Sequence, residues 1–118
     1  MTRRVLTAVA FIWLPLAAAA SLDVNQQTYT CERGVQVPVV YLTEMSDDPD
    51  AGAVAVLLLD GRQLTLWRET AASGARYGFP SDGSHYVWWT KDDSATLFWR
   101  DGADGSETVV LRDCAANG

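Results

Sequence analysis

The residues of this chain that could do chemistry are few, and their types point to recognition rather than catalysis. Ser73-Gly74 puts a hydroxyl on a small polar tip, and Lys91 puts an ammonium directly after the aromatic run Tyr86-Val87-Trp88-Trp89-Thr90. The ammonium only donates hydrogen bonds, while the hydroxyl donates and accepts, so together they suit a pair of acidic groups on a partner. His85 is the sole histidine and falls inside an alternating stretch, where an exposed strand residue is the expected reading. Asp92 and Asp93 are neighbours in a turn and point to different sides, whereas paired glycosidase carboxylates must face each other about 5–9 Å apart. No Ser-His-Asp constellation can be built beyond the bare residue types. The chain is therefore not read as an enzyme, and no cofactor is expected. The acidic run Asp47-Asp48-Pro49-Asp50 lacks the EF-hand spacing and its closing glutamate, so it reads as a solvated loop and not as a metal site.

The elements that must position Ser73 and Lys91 read as strands. Ser21–Gln26 is a loose leader and Thr28–Glu32 a short strand; Val35, Val37, Val39 and Tyr41 then alternate around Pro38, which asks for an edge or a bulge. Thr43–Gly52 reads as a loop. Ala53–Leu59 and Gln63–Glu69 flank the hairpin signal Asp60-Gly61. The stretch 71–91 carries a turn signal at Asp82-Gly83, and strands over Ser94–Arg100 and Glu107–Arg112 finish the chain. About eight short strands, with turn signals every eight to twelve residues, predict an all-β antiparallel sandwich or small barrel.

Charge and cysteine set further bounds. Residues 1–20 have an n-region with Arg3 and Arg4, an apolar Val5–Leu16 and a small-residue zone Ala17–Ala20, the pattern of a secretory signal peptide. Residues 21–118 then form the single domain. Without Arg3 and Arg4, seven Lys and Arg stand against fifteen Asp and Glu, a net charge of −8. Nucleic acid and anionic lipid are poor partners for such a chain, and a basic protein is a good one. Cys31 and Cys114 lie near opposite ends of the exported part and are expected to form a disulfide.

Ser73-Gly74-Ala75-Arg76-Tyr77, then a Gly-containing turn, then Trp89-Thr90-Lys91 with Ala95 beyond, resembles the C-type lysozyme inhibitor family, the periplasmic and membrane-bound MliC/PliC-type proteins. Tyr29-Thr30-Cys31 and Val110-Leu111-Arg112-Asp113-Cys114 sit where that family has its disulfide-bonded strands. The resemblance implies a small eight-stranded antiparallel barrel with one disulfide. It implies an inhibitor that inserts two loops into the cleft of C-type lysozyme, with Ser73 and Lys91 reaching the two catalytic acids and Gly74, Arg76 and Tyr77 beside them. Two departures are visible. Asp92 follows the lysine where the family has glycine, and Gly78-Phe79-Pro80-Ser81 lengthens the connection between the two blocks. No lipobox cysteine follows the signal region, which favours the soluble periplasmic branch and no membrane anchor. The ten aromatics of the exported part motivate an alternative, a barrel that binds a small ligand or a sugar in the envelope.

Overall fold

A computed structural model describes Thr7, Ala8, Ala10, residues 21–47 and residues 51–118. Apart from Thr7, Ala8 and Ala10, the expected signal peptide lies outside the described residues, as does Asp48-Pro49-Asp50 of the acidic loop. Eight strands follow one another: β1 (Leu22–Thr30), β2 (Gln36–Glu44), β3 (Ala53–Leu59), β4 (Arg62–Glu69), β5 (Ala75–Gly78), β6 (His85–Lys91), β7 (Ser94–Arg100) and β8 (Glu107–Ala116). Each pairs antiparallel with the next, and β8 returns to β1, closing a barrel in strict sequence order. Closure leaves the central strands without open edges.

The tight turns follow local chemistry. Asp60 and Gly61 both have positive φ, 50° and 74°, and join the partners Leu59 and Arg62. That backbone matches the twist of a two-residue hairpin, and Asp and Gly tolerate it best. Pro38 has a partner on β1, Thr28, but lies just outside the β3 ladder, which begins at Val39. The missing N–H of proline is therefore accommodated at a local edge.

Alternation sends one face inward. Tyr29, Val37, Val39, Ala55, Leu57, Leu66, Tyr77, Trp88, Leu97 and Leu111 fill the interior, with Trp88 fully buried. Its indole N–H donates to the Tyr41 hydroxyl at 2.9 Å, and that hydroxyl shares a 2.8 Å hydrogen bond with Tyr29. The Tyr29 ring meets Trp88 edge-on, with centroids 5.1 Å apart. Burial pushes the phenols of Tyr29 and Tyr41 above their usual range, so both stay neutral and able to donate.

Closure between β1 and β8 is short: Tyr29 pairs with Ala116 and Thr30 with Ala115. Asn117 extends it, its N–H donating to the Thr28 carbonyl at 2.8 Å. The Cys31–Cys114 disulfide ties the same seam. On the chain-entropy argument, a bridge closing so long a loop stabilises by roughly 4–5 kcal/mol.

Two sequence expectations need correction. Ser21–Gln26 is not a loose leader: Leu22–Gln27 is the first part of β1 and pairs with Val39–Glu44 of β2. The polar run Asn25-Gln26-Gln27 hid a strand whose backbone is satisfied by a long hairpin partner. The same pairing draws Thr43 and Glu44 into β2 rather than into the loop.

Candidate functional site

The turn that carries Ser73 spans Thr70–Gly74, between β4 and β5. Ala75 is paired with Thr90, so continuing that register sets Gly74 across from Lys91. Gly74 has φ +65°, and a Cβ placed on it would lie 2.2 Å from the Thr90 carbonyl oxygen. Only glycine fits there, because the turn lies directly on the backbone of β6. A second tie is made by Trp89, whose indole N–H donates to the Ser73 carbonyl at 2.9 Å.

Lys91 ends β6 and faces Ser94 across the two-residue turn Asp92-Asp93. Asp92 adopts φ 53°, a conformation Asp tolerates better than most residues, and so it substitutes for glycine there. The Ser94 hydroxyl donates to the Lys91 carbonyl at 2.9 Å, and the Ala116 N–H donates to the Asp93 carbonyl at 2.8 Å. The hairpin is thus pinned on both sides. Ser73, Gly74 and Lys91 are all exposed. Among the described residues Lys91 makes no ion pair, either with Asp92 and Asp93 or with any other acid. Beside the Ser73 turn lies a polar recess of about 310 Å³ lined by Gly52, Arg68, Thr70, Ala71 and Gly74.

The other two expected binding residues are placed differently. Tyr77 is buried, its ring 5.6 Å from that of Tyr41, and burial raises its phenol. Arg76 points outward but is engaged by Glu69 at 3.5 Å and by Glu107. Arg100 bonds the same two glutamates, at 2.5 Å to Glu69 and 2.8 Å to Glu107. Hydrogen bonds from Arg100 lead the causes that hold the Glu69 carboxyl below its usual value. For Glu107 burial pushes upward, but the bonds from Arg76 and Arg100 outweigh it and the net shift is downward.

This four-charge lattice links β4 and β5 to β7 and β8 across the outside of β6. The outward residue of β6 at that level is Val87, which lies between Trp89, paired with Arg76, and His85, paired with Arg100. Val87 is fully buried although it lies outside the interior cluster. Gly78 makes room for the lattice, since a Cβ there would lie 2.6 Å from a Glu69 carboxylate oxygen. Sequence reasoning missed the lattice. Its members are spread from position 69 to position 107, and only the strand register brings them together.

A sequence profile described as membrane-bound lysozyme-inhibitor of c-type lysozyme matches residues 29–106. The chain belongs to this family. The membrane-bound lysozyme inhibitor of C-type lysozyme of Pseudomonas aeruginosa is 34% identical over 103 residues, which cover 86% of this chain and 74% of that protein. The protein of the same name from Cupriavidus necator is 37% identical over 75 residues, covering 64% of this chain and 53% of that one. Among solved structures, PliC-St, the periplasmic lysozyme inhibitor of C-type lysozyme from Salmonella typhimurium, superposes with a TM-score of 0.60 over 81% of this chain and 100% of its own. At 22% identity that likeness shows the barrel fold. The profile's span takes in the Ser73 turn, the Lys91 hairpin, Cys31 and three charges of the lattice, Glu69, Arg76 and Arg100, and ends one residue before the fourth, Glu107.

Proposed function

We propose that this chain inhibits C-type lysozyme by laying the Ser73 turn and the Lys91 hairpin into its cleft, so that serine and lysine engage the two catalytic carboxylates. Family membership supports the partner. The observation that carries the mechanism is an exposed ammonium without an ion pair among the described residues, on a strand end whose register with β5 leads to the turn bearing an exposed hydroxyl. In lysozyme one carboxyl is a protonated acid in an apolar pocket and the other is ionised. A hydroxyl donates or accepts and so fits the first in either state, while an ammonium fits the second as a charge-assisted partner. Inhibition of this kind asks no chemistry of the inhibitor, because the loops occupy the place of the sugar.

In this reading Gly74 belongs to the contact surface through its backbone. Arg76 and Tyr77 act from behind it, Arg76 by bracing β5 on the outside and Tyr77 by anchoring it in the core. The ligand-binding alternative needs an open barrel, and here the interior is packed by Trp88, Leu57, Leu97, Val37 and Val39. We place the working compartment in the periplasm, with the exported chain soluble. Fractionation of cells expressing the full chain tests this, and recovery with the membranes would favour an anchored form.

The deciding experiment is a turbidity assay of cell-wall lysis by a C-type lysozyme with the purified exported chain added, and a goose-type enzyme as control. Suppression of the first alone is expected. Unchanged lysis by both enzymes would overturn the proposal.

A further inference from the structure

We infer that Trp89 is a positioning residue that locks the Ser73 turn to the Lys91 hairpin, so that the two loops act as one preformed surface. The inference deepens the inhibitor reading and rests on it for its functional consequence.

The two adjacent tryptophans have separate tasks. Trp88 points inward and donates to Tyr41, whereas Trp89 lies on the outer face and donates to the Ser73 carbonyl at 2.9 Å. Trp89 is two residues before Lys91, on the same side of the same strand. Its bond therefore runs from the base of one loop to the tip of the other. Fixing the Ser73 carbonyl fixes the peptide plane that follows Ser73 and so limits the backbone freedom with which the Ser73 side chain is aimed. Glycine at 74 makes the bond possible, since a Cβ there would lie 3.0 Å from the Trp89 ring nitrogen.

The indole is itself supported. Its ring lies 6.5 Å from that of Phe98, and the Arg76 guanidinium sits 5.8 Å above Phe98. Arg76 is held in turn by Glu69 and Glu107. The charge lattice thus backs the aromatic pair, and the aromatic pair backs Ser73. A turn ordered in advance loses less freedom on docking, and that difference appears as affinity.

Trp89→Phe keeps an aromatic ring at this position and removes the N–H together with the pyrrole half of the indole. Two readouts test it. Amide exchange over 72–75 should accelerate about three- to tenfold, the range of one net hydrogen bond, while the global melting temperature stays within about 2 °C. Inhibition of lysozyme should weaken by the same factor, and by less than about twofold when Trp89→Phe is placed on a Ser73→Ala background, because the positioned group is already gone.

Unchanged exchange at 72–75 would overturn the inference whatever lysozyme does. So would a Trp89→Phe loss that persists in full on the Ser73→Ala background. If exchange responds and wild type leaves lysozyme active, the inhibitor reading falls and the tie between the loops stands. Should Trp89→Phe fail to fold, Gly74→Ala tests the same contact from the other side. Its methyl must push the turn off β6, and exchange over 72–75 that stays at the wild-type rate would count against the inference.

Discussion

At the scale of single residues, Lys91 combines an exposed charge with a place at the tip of a hairpin. Two acids follow it at once, yet neither forms an ion pair with it, and the Ser94 and Ala116 bonds to the hairpin backbone hold the turn in place. An ammonium that docks against a buried carboxylate leaves an unpaired charge behind when it is removed, at a cost of about 2–5 kcal/mol. Lys91→Ala is therefore expected to weaken inhibition at least about tenfold. Ser73→Ala should cost less, about two- to tenfold, as fits a single hydrogen bond. Titration of lysozyme activity with each variant measures both, and full inhibition by the double variant would remove these residues from the site. Tyr41 offers a contrasting case, where a polar group serves stability. Its hydroxyl accepts from Trp88 and meets Tyr29 inside the barrel. Tyr41→Phe strands a buried indole N–H, so a loss of about 1–3 kcal/mol in denaturant unfolding is expected, with the Ser73 and Lys91 loops unaltered.

At the scale of elements, β5 is the piece whose placement matters most, and at four residues it is the shortest strand. Glu69, at the end of β4, and Arg76, just inside β5, bracket the Ser73 turn and bind each other, while Arg100 and Glu107 hold both from β7 and β8. Both glutamates have carboxyls held below the usual value of 4.5. A depressed carboxyl contributes stability that is fully present above the unfolded-state value and is lost as pH falls through the folded-state value. Melting temperature should accordingly drop as pH is lowered from about 5 towards 3. The paired substitution Glu69→Gln with Glu107→Gln should lower it already at pH 7 and flatten the acid limb. A variant whose acid limb matches wild type would show that the lattice does not carry this linkage.

The same elements show what the sequence could and could not disclose. Alternation and turn residues made most strands legible, because burial on one face leaves a period of two in the residues themselves. The hairpin at Asp60-Gly61 was legible because its backbone demands those residue types. The first half of β1 was not, since Asn25, Gln26 and Gln27 carry no apolar signal and their strand exists through pairing with β2. The loops bearing Ser73 and Lys91 were found through motif resemblance. What set Arg76 and Tyr77 behind them was the register and the closure of the barrel, which no local pattern contains.

For the whole molecule the governing quantities are closure and charge. The seam between β1 and β8 is only two paired positions long, and the disulfide beside it keeps the ends of the chain together. The barrel then presents a small cationic and hydroxyl tip on a body in which residues 21–118 carry a net charge of −8. These two scales of charge act on different steps. In the proposed complex the long-range field of the body would draw in a basic partner and raise the association rate, whereas a Lys91 contact desolvated on docking would act on dissociation. Raising ionic strength from about 0.01 M to 0.15 M shortens the screening length from about 30 Å to 8 Å, less than the span of the barrel. Association with lysozyme, followed by stopped-flow or surface methods, should therefore slow by about tenfold or more over that range, with dissociation changing less than about threefold. Lys91→Ala should reverse the pattern, leaving the salt dependence of association in place and speeding release. If salt acted mainly on dissociation, the body's charge would have no part in the encounter, and recognition would rest on the two loops alone.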